Sequence, residues 1–239
     1  MIGQQPAFIG RGPTTRFTDR SAAGRLLARR LMAYGGRDDV IVLALPRGGV
    51  PVAFEVARAL NAPLDVLVVR KLGVPGHREL AMGAIAAGGM RILNEDVVRE
   101  IGITSEQIDL VAAEEQRELE RRARTYRDDA PPPDLRGRTA LLVDDGLATG
   151  ATMRAAVIAV RELGAARVVV AVPVAPADTC ERLEREADEV VCLMNPNPFW
   201  SIGQWYDNFT QVSDREVREL LAQAVTPSGN QGLGMRPTD

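Results

Sequence analysis

The sequence predicts an α/β fold: a doubly wound, mainly parallel sheet flanked by helices, with a helical insertion and a small C-terminal hood. Several short runs are apolar at consecutive positions, as strands buried on both faces are. Segments with helical spacing separate these runs, which indicates parallel strands joined by crossover helices. The predicted strands are residues 40–45, 64–69, 140–143, 168–172 and 190–193, with shorter candidates at 83–87 and 91–93, and the helices between strands are residues 50–60 and 150–163.

The amino-acid composition limits the classes of protein to which the chain could belong. Hydrophobic residues make up 46% and charged residues 26% of 239 positions, which excludes a disordered or fibrous chain. The net charge of −3 gives no electrostatic reason to expect nucleic acid or a membrane as a partner, although 29 Lys and Arg suffice for a local anion site. No apolar stretch approaches the roughly 18 residues that span a bilayer, and no signal peptide is apparent, so a cytoplasmic protein is expected. Residues 1–225 are predicted to form a single domain, and residues 226–239 a disordered tail.

The cysteines do not form a metal-binding pattern. Cys180 and Cys192 lie twelve positions apart without a CxxC motif, and His77 is the only histidine. A zinc cluster therefore lacks ligands, and two reduced, partly buried thiols are expected.

Residues 94–138 interrupt the alternation of strands and helices. Thr104 and Gln107 form a capping-box pattern that starts a helix. One apolar stripe follows, made of Ile108, Val111, Ala112, Leu119, Ala123 and Tyr126. The other face carries the i,i+4 pairs Glu118–Arg122 and Glu120–Arg124. Its charges are typical of a solvated surface, and the segment at residues 130–133, APPP, should end the helix.

Two acidic residues and a turn rich in glycine and threonine follow one predicted strand. In open parallel sheets ligands bind beyond the carboxyl ends of the strands, and a turn leading into a helix aims backbone N–H groups at one point. Thr149 and Thr152 add hydroxyl donors and Gly150 allows close approach, which suits a phosphate monoester. Asp144 and Asp145 can accept hydrogen bonds from adjacent hydroxyls or hold hydrated Mg²⁺. The pattern predicts a phosphorylated sugar as ligand; the alternative is a plain strand–turn–helix with an Asp cap.

The segment VDDGLATGAT resembles the phosphoribosyl pyrophosphate signature of type I phosphoribosyltransferases, which transfer 5-phosphoribose to a nitrogenous base and release pyrophosphate. The resemblance implies Mg²⁺ as cofactor. It also implies that Asp144 and Asp145 contact the ribose 2- and 3-hydroxyls, with any role toward the metal indirect. The positions that would surround the 5-phosphate are Ala148, Thr149, Gly150, Ala151 and Thr152. More narrowly, the chain resembles a group of bacterial phosphoribosyltransferases of unassigned acceptor.

Two further loops resemble the same family. LPRGGV looks like its pyrophosphate loop, with Arg47, Gly48 and Gly49 facing the leaving group; a plain turn is the alternative. VRKLG resembles its basic segment, where Arg70 and Lys71 would supply charge; a solvated strand end is the alternative. The resemblance implies Arg47 and Lys71 as catalytic groups that stabilise the leaving pyrophosphate.

Residues 74–82, VPGHRELAM, occupy the place of the mobile loop that closes over the site in this family. His77 and Arg78 would reach pyrophosphate on closure, the alternative being an exposed loop histidine without a catalytic duty. The chain also departs from the family. Ala148 stands where hypoxanthine–guanine enzymes carry an Asp base catalyst, and Gly146 replaces a usual apolar residue.

The acceptor is not specified by the sequence. A hood over the sheet edge is expected from the N-terminal segment and residues 194–211, and a helix capped by Ser213 and Glu216 follows it. Aromatic rings in this region could stack on a heterocycle, or simply form a satellite core: Phe199, Trp200, Trp205, Tyr206 and Phe209.

The predicted function is a phosphoribosyltransferase that uses phosphoribosyl pyrophosphate, Mg²⁺ and a small-molecule base, with a homodimer as a possible assembly. One alternative is a regulatory protein that senses phosphoribosyl pyrophosphate or nucleotides without turnover. Such a protein would need a basic surface facing nucleic acid, which the acidic total does not favour. Another alternative is a hydrolase or other transferase that reuses the phosphoribosyl site.

Overall fold

The structure is a computed structural model that describes residues 16–86, 89–127 and 133–225. Its strands are β1 (Val40–Ala44), β2 (Leu64–Val66), β3 (Val69–Val74), β4 (His77–Ala86), β5 (Met90–Leu93), β6 (Thr139–Val143), β7 (Arg167–Val174) and β8 (Glu189–Met194). Its α-helices are α1 (Arg20–Arg30), α2 (Gly49–Leu60), α3 (Glu95–Ile101), α4 (Ser105–Arg127), α5 (Ala151–Glu162), α6 (Ala177–Leu183) and α7 (Asp214–Val225). The predicted tail at residues 226–239 lies outside the described residues, as do residues 130–132 of the APPP segment.

Five parallel strands form the central sheet in the order β2-β1-β6-β7-β8, which confirms the predicted fold class. Every residue of β1 and β6 is buried, because helices cover both faces. Alternate strand residues contribute to two separate cores, with α1, α2 and α7 on one face and α5 and α6 on the other. The layers therefore place α2 and α5, which follow the neighbouring strands β1 and β6, on opposite faces of the sheet.

Residues 74–82 lie mostly in β-strands, so the prediction of a loop there was wrong, while closure of this segment over the site stays a prediction. β3, β4 and β5 form a separate antiparallel sheet, with only residues 75–76 in the turn of the β3–β4 hairpin. The hairpin packs against the core through the buried side chains of Leu72, Val74 and Met82. The predicted strand at residues 64–69 is accordingly split, since β2 ends at Val66 and β3 begins in the second sheet.

The predicted helix that begins at the capping box is present as α4, and an additional helix, α3, precedes it. The Thr104 hydroxyl accepts from the Gln107 N–H at 3.3 Å, and the Gln107 side chain accepts from the Thr104 N–H at 2.9 Å, as in a capping box. The long helix α4 buries Leu119 and Tyr126 from its apolar stripe. No helix in the described ranges is long and apolar enough to cross a membrane.

Tyr126 joins the insertion to the C-terminal helix. Its hydroxyl donates to Asp214 Oδ1 at 2.7 Å, and burial together with this carboxylate raises the pKa of Tyr126 to about 12. We expect Tyr126→Phe to lower the free energy of unfolding by about 1.5 kcal/mol, because a hydrogen bond to a charged group is lost from a buried position. Denaturant titration at pH 7 measures this, compared with Thr125→Val, which removes a half-buried hydroxyl that donates to the Arg121 carbonyl within the same helix. An unchanged midpoint for Tyr126→Phe would show that the bond adds nothing.

Candidate functional site

The loops after β1 and β6 meet at the carboxyl edge of the sheet. These strands are hydrogen-bonded neighbours, and the Leu45 N–H donates to the Val143 carbonyl at 2.9 Å. A Cβ on Gly48 would lie 2.0 Å from Asp145 Oδ2, and one on Gly49 would lie 2.6 Å from the Val143 carbonyl oxygen. The glycine pair is therefore required for the β1 loop to approach the acidic residues this closely.

The adjacent carboxylates lie in a poorly solvated position. Asp145 is buried, and the neighbouring Asp144 is half-buried, with its Oδ1 accepting from the Asp145 N–H at 2.8 Å. Burial, and then the negative charge of Asp145, raise the pKa of Asp144 well above its usual value. Burial also raises the pKa of Asp145, while a hydrogen bond from Arg20 opposes that rise. Hydroxyl donors or a cation supplied by a ligand would therefore stabilise the ionised form of these carboxylates.

The turn before α5 has the geometry of an anion cradle. Gly150 is the N-cap of α5 with φ +74°, a left-handed conformation that favours glycine. The first N–H groups of a helix have no intrahelical acceptors, and the helix dipole adds positive potential there. Ala148, Thr149 and Thr152 are exposed around this point. The structure thus brings the predicted phosphate-binding positions together at one helix N-terminus.

Arg20, which the sequence interpretation missed, closes one side of the acidic pair. Its Nε donates to Asp145 Oδ2 at 2.7 Å, and the two side chains are 11% and 10% exposed. Its NH1 donates to the Thr210 carbonyl at 2.8 Å, and its guanidinium lies 3.9 Å from the centre of the Phe209 ring. Arg20 is 125 positions from Asp145, so no local pattern in the sequence could have revealed this contact.

Phe17, near the start of the described chain, is hydrogen-bonded to the segment that contains the hood aromatics. The Phe17 N–H donates to the Trp205 carbonyl at 2.9 Å, and the Phe17 carbonyl accepts from the Asp207 N–H at 2.9 Å. The buried Tyr206 hydroxyl donates to the Asp145 main-chain carbonyl at 2.6 Å. Burial raises the pKa of Tyr206, so this hydroxyl remains a donor at neutral pH.

The hood aromatics divide into two kinds. Trp205 and Tyr206 are buried in a small core, which favours the structural interpretation for these two rings. Trp200 is 80% exposed, while Phe199 and Phe209 are half-buried.

A Cβ on Gly146 would lie 2.7 Å from Ile202 Cγ2. The glycine at that position therefore makes room for the hood.

The basic residues are held by acidic partners. The peptide bond between Pro46 and Arg47 is cis, and Arg47 NH1 lies 3.8 Å from Asp214 Oδ1. Arg70 Nε donates to Glu115 of α4 at 2.6 Å, so its guanidinium would have to leave Glu115 to reach a ligand beside the acids.

The predicted positions on the hairpin lie on β3 and β4. Lys71 lies on β3 opposite Ala84, half-buried. His77 is exposed at the start of β4, and the side chain of Arg78 lies outside the described residues.

Residues 16–208 match the family model described as a phosphoribosyl transferase domain. The chain belongs to this family. It is 54% identical over 208 residues to proteins of two Mycobacterium tuberculosis strains, each named as a presumed phosphoribosyl transferase. The match covers 87% of this chain and 47% of those proteins, so the chain spans about half the length of these curated relatives.

The domain is also similar to the crystal structure of TT1426 from Thermus thermophilus. The two superimpose with a TM-score of 0.81 at 44% sequence identity, over 87% of this chain and 99% of that one. The phosphoribosyl transferase domain thus confirms the family to which VDDGLATGAT and LPRGGV point, and its matched range includes both loops of the site.

Proposed function

We propose that the domain binds phosphoribosyl pyrophosphate and transfers its 5-phosphoribose group to a nitrogen of a small base, releasing pyrophosphate. One observation carries the proposal. The Arg47–Gly48–Gly49 loop contacts the Asp144–Asp145 pair, which is continuous with the N-terminal turn of α5. A sugar with a phosphate on one side and a pyrophosphate on the other matches this order of groups: the N-terminal turn of α5, the acidic pair, and the loop with Gly48 and Gly49.

Each group has a distinct part in the proposed reaction. The α5 turn holds the 5-phosphate, while Asp144 and Asp145 accept from the ribose hydroxyls. Departure of pyrophosphate leaves positive charge at C1, as in glycoside cleavage, and the acceptor nitrogen attacks from the opposite face. Arg47 and Lys71 supply positive charge toward the leaving group. The domain's main contribution is therefore position and electrostatics rather than proton transfer.

Mg²⁺ fits the chemistry of the donor set, because two neighbouring carboxylates are hard oxygen ligands. Arg20 occupies one oxygen of Asp145, so the acids would hold the ion through water or ribose hydroxyls. When bound, the ion would neutralise part of the negative charge of the pyrophosphate. Ala148 offers no base at the position where hypoxanthine–guanine enzymes carry one, so a purine acceptor activated in that way is not proposed.

The test is pyrophosphate release from phosphoribosyl pyrophosphate and Mg²⁺ across a panel of purines, pyrimidines and related nitrogen bases. We expect release that depends on at least one base. Preparations of Asp144→Asn/Asp145→Asn are the control for contaminating enzymes. Binding without release for any base would favour a sensor, and release without a base would favour a hydrolase.

A further inference from the structure

Cys180 and Cys192, on α6 and β8, are neighbours in space although neither takes part in the proposed reaction. The Asn195 side-chain N–H group lies 3.3 Å from Cys180 Sγ and 3.4 Å from Cys192 Sγ, so one amide touches both sulfurs. Both thiols are free. The chain contains only these two cysteines. Any disulfide formed within one molecule must therefore join this pair.

The surroundings make the two sulfurs chemically unequal. Contact with the Cys192 thiol, together with the Asn195 amide, lowers the pKa of Cys180, whereas the contact with Cys180 and burial raise the pKa of Cys192. Cys180 is therefore the sulfur that loses its proton more readily, and the thiolate form of a cysteine is the one that attacks an oxidant. Cys180 is buried, whereas Cys192 is half-buried on the edge strand β8 and Asn195, whose amide contacts both sulfurs, is exposed. The approach for a small oxidant is therefore from the sheet edge, past Cys192 and Asn195.

Helix α6 also supports the phosphate-binding turn. Thr179 is 2% exposed, and its Oγ1 donates to the Ala148 carbonyl at 2.9 Å. Its methyl group lies against Gly150, where an added Cβ would come within 2.9 Å of Thr179 Cγ2. Thr179 immediately precedes Cys180 in the chain. A displacement of Cys180 therefore moves the residue on which the turn rests.

We propose that Cys180 and Cys192 form a reversible redox modification site, oxidised to a disulfide by peroxide, and that the disulfide weakens phosphate binding through Thr179. The second half of this proposal rests on the proposed function of the α5 turn. Bond formation draws the sulfurs from contact to about 2 Å. Because β8 is hydrogen-bonded along the sheet to β7, the short helix α6 is the element that shifts.

The chemistry balances with one peroxide per disulfide. The Cys180 thiolate attacks a peroxide oxygen, the O–O bond breaks, and the departing hydroxide takes up the proton lost by Cys180 to give water. Cys192 sulfur then attacks the Cys180 sulfenic acid, the S–O bond breaks, and the second hydroxide leaves as water with the Cys192 proton. Two electrons pass from the two sulfurs to peroxide.

The site itself is tested without any sugar ligand. Folded wild-type protein is treated with hydrogen peroxide, digested without reduction, and mapped by mass spectrometry. We expect a Cys180–Cys192 peptide pair that disappears with dithiothreitol. Native protein that keeps both thiols, forms disulfides between molecules, or over-oxidises to sulfonic acid would refute the site.

The coupling is tested by the affinity for phosphoribosyl pyrophosphate with Mg²⁺. We expect oxidised wild type to bind at least fivefold more weakly than reduced protein, with recovery on reduction. The Cys192→Ser variant should bind phosphoribosyl pyrophosphate as tightly as reduced wild type, and peroxide treatment should not change that affinity. The variant thereby controls for an effect of methionine oxidation. Cys180→Ala is the second such variant if Cys192→Ser does not fold. Equal affinity of the reduced and disulfide forms would overturn the coupling. If reduced protein does not bind at all, the proposed function fails, while the disulfide map still decides the modification site.

Discussion

Replacement of Asp144 and Asp145 together by asparagine is expected to weaken phosphoribosyl pyrophosphate binding by about 1,000-fold. Each carboxylate would lose a charge-assisted hydrogen bond to a ribose hydroxyl, worth about 2 kcal/mol. About 4 kcal/mol in total corresponds to three orders of magnitude in affinity. Isothermal titration calorimetry with Mg²⁺ at pH 8 measures the loss.

Two effects on the stability of this variant oppose each other at pH 8. Burial raises the pKa of both acids, so their contribution to stability is present in acid and is lost as pH rises through the raised values, and asparagine removes that cost. The variant also leaves the buried guanidinium of Arg20 without its anionic partner. A cooperative unfolding transition at pH 8 shows that the variant used for titration is folded. The matched control is Glu95→Gln/Asp96→Asn, which removes two exposed neighbouring charges on α3. Binding within threefold of wild type by the Asp144/Asp145 variant would show that the site is elsewhere.

Arg20→Ala should lower the free energy of unfolding by about 3–5 kcal/mol at pH 8. The Asp145 carboxylate would remain buried without its cation, and removal of one partner from a buried ion pair is strongly destabilising. Without Arg20 the pKa of Asp145 rises further, so the loss should be smaller at pH 5 and grow as pH rises. Denaturant titrations at both pH values measure this.

Two comparisons separate the buried pair from a general effect of losing an arginine. Arg25→Ala removes a guanidinium from the same helix, 3.3 Å from Glu55 and 53% exposed, and should cost less than about 1 kcal/mol. Arg20→Ala/Asp145→Asn removes both charges of the pair and should regain most of the stability lost by Arg20→Ala. A double variant as unstable as Arg20→Ala would assign the loss to Thr210 and Phe209 rather than to the charge of Asp145.

The local patterns of the sequence were sufficient for the sheet and for the two loops that follow β1 and β6. Apolar strands and turn residues such as Gly48 and Gly150 are determined by neighbours in the chain. The β3–β4 hairpin was misinterpreted because Pro75, Gly76 and His77 are typical of a loop, whereas the strands are fixed by burial of Leu72 against the core. Tertiary packing outweighed local propensity there.

The site residues that were not predicted were missed for a different reason. Arg20 and Thr179 support Asp145 and Ala148 from elements distant in sequence, and neither belongs to a pattern that marks a ligand. Only the folded arrangement shows that they adjoin the site. The sequence resemblance identified residues expected to touch phosphoribosyl pyrophosphate, while the residues that hold them in place required the structure.

Gly146 packs closely beneath Ile202, and Tyr206 is hydrogen-bonded to the Asp145 carbonyl. These two contacts limit which hood sequences are compatible with the acidic pair. A hood exchanged as a unit for that of a relative would bring new side chains onto the main chain of the acidic pair, so the hood and the acidic pair do not vary independently. Substitutions at Trp200, which is exposed and outside the hood core, and at its exposed neighbour Ser201 would leave these contacts in place. The hood surface can therefore vary at these two positions without disturbing the acidic pair.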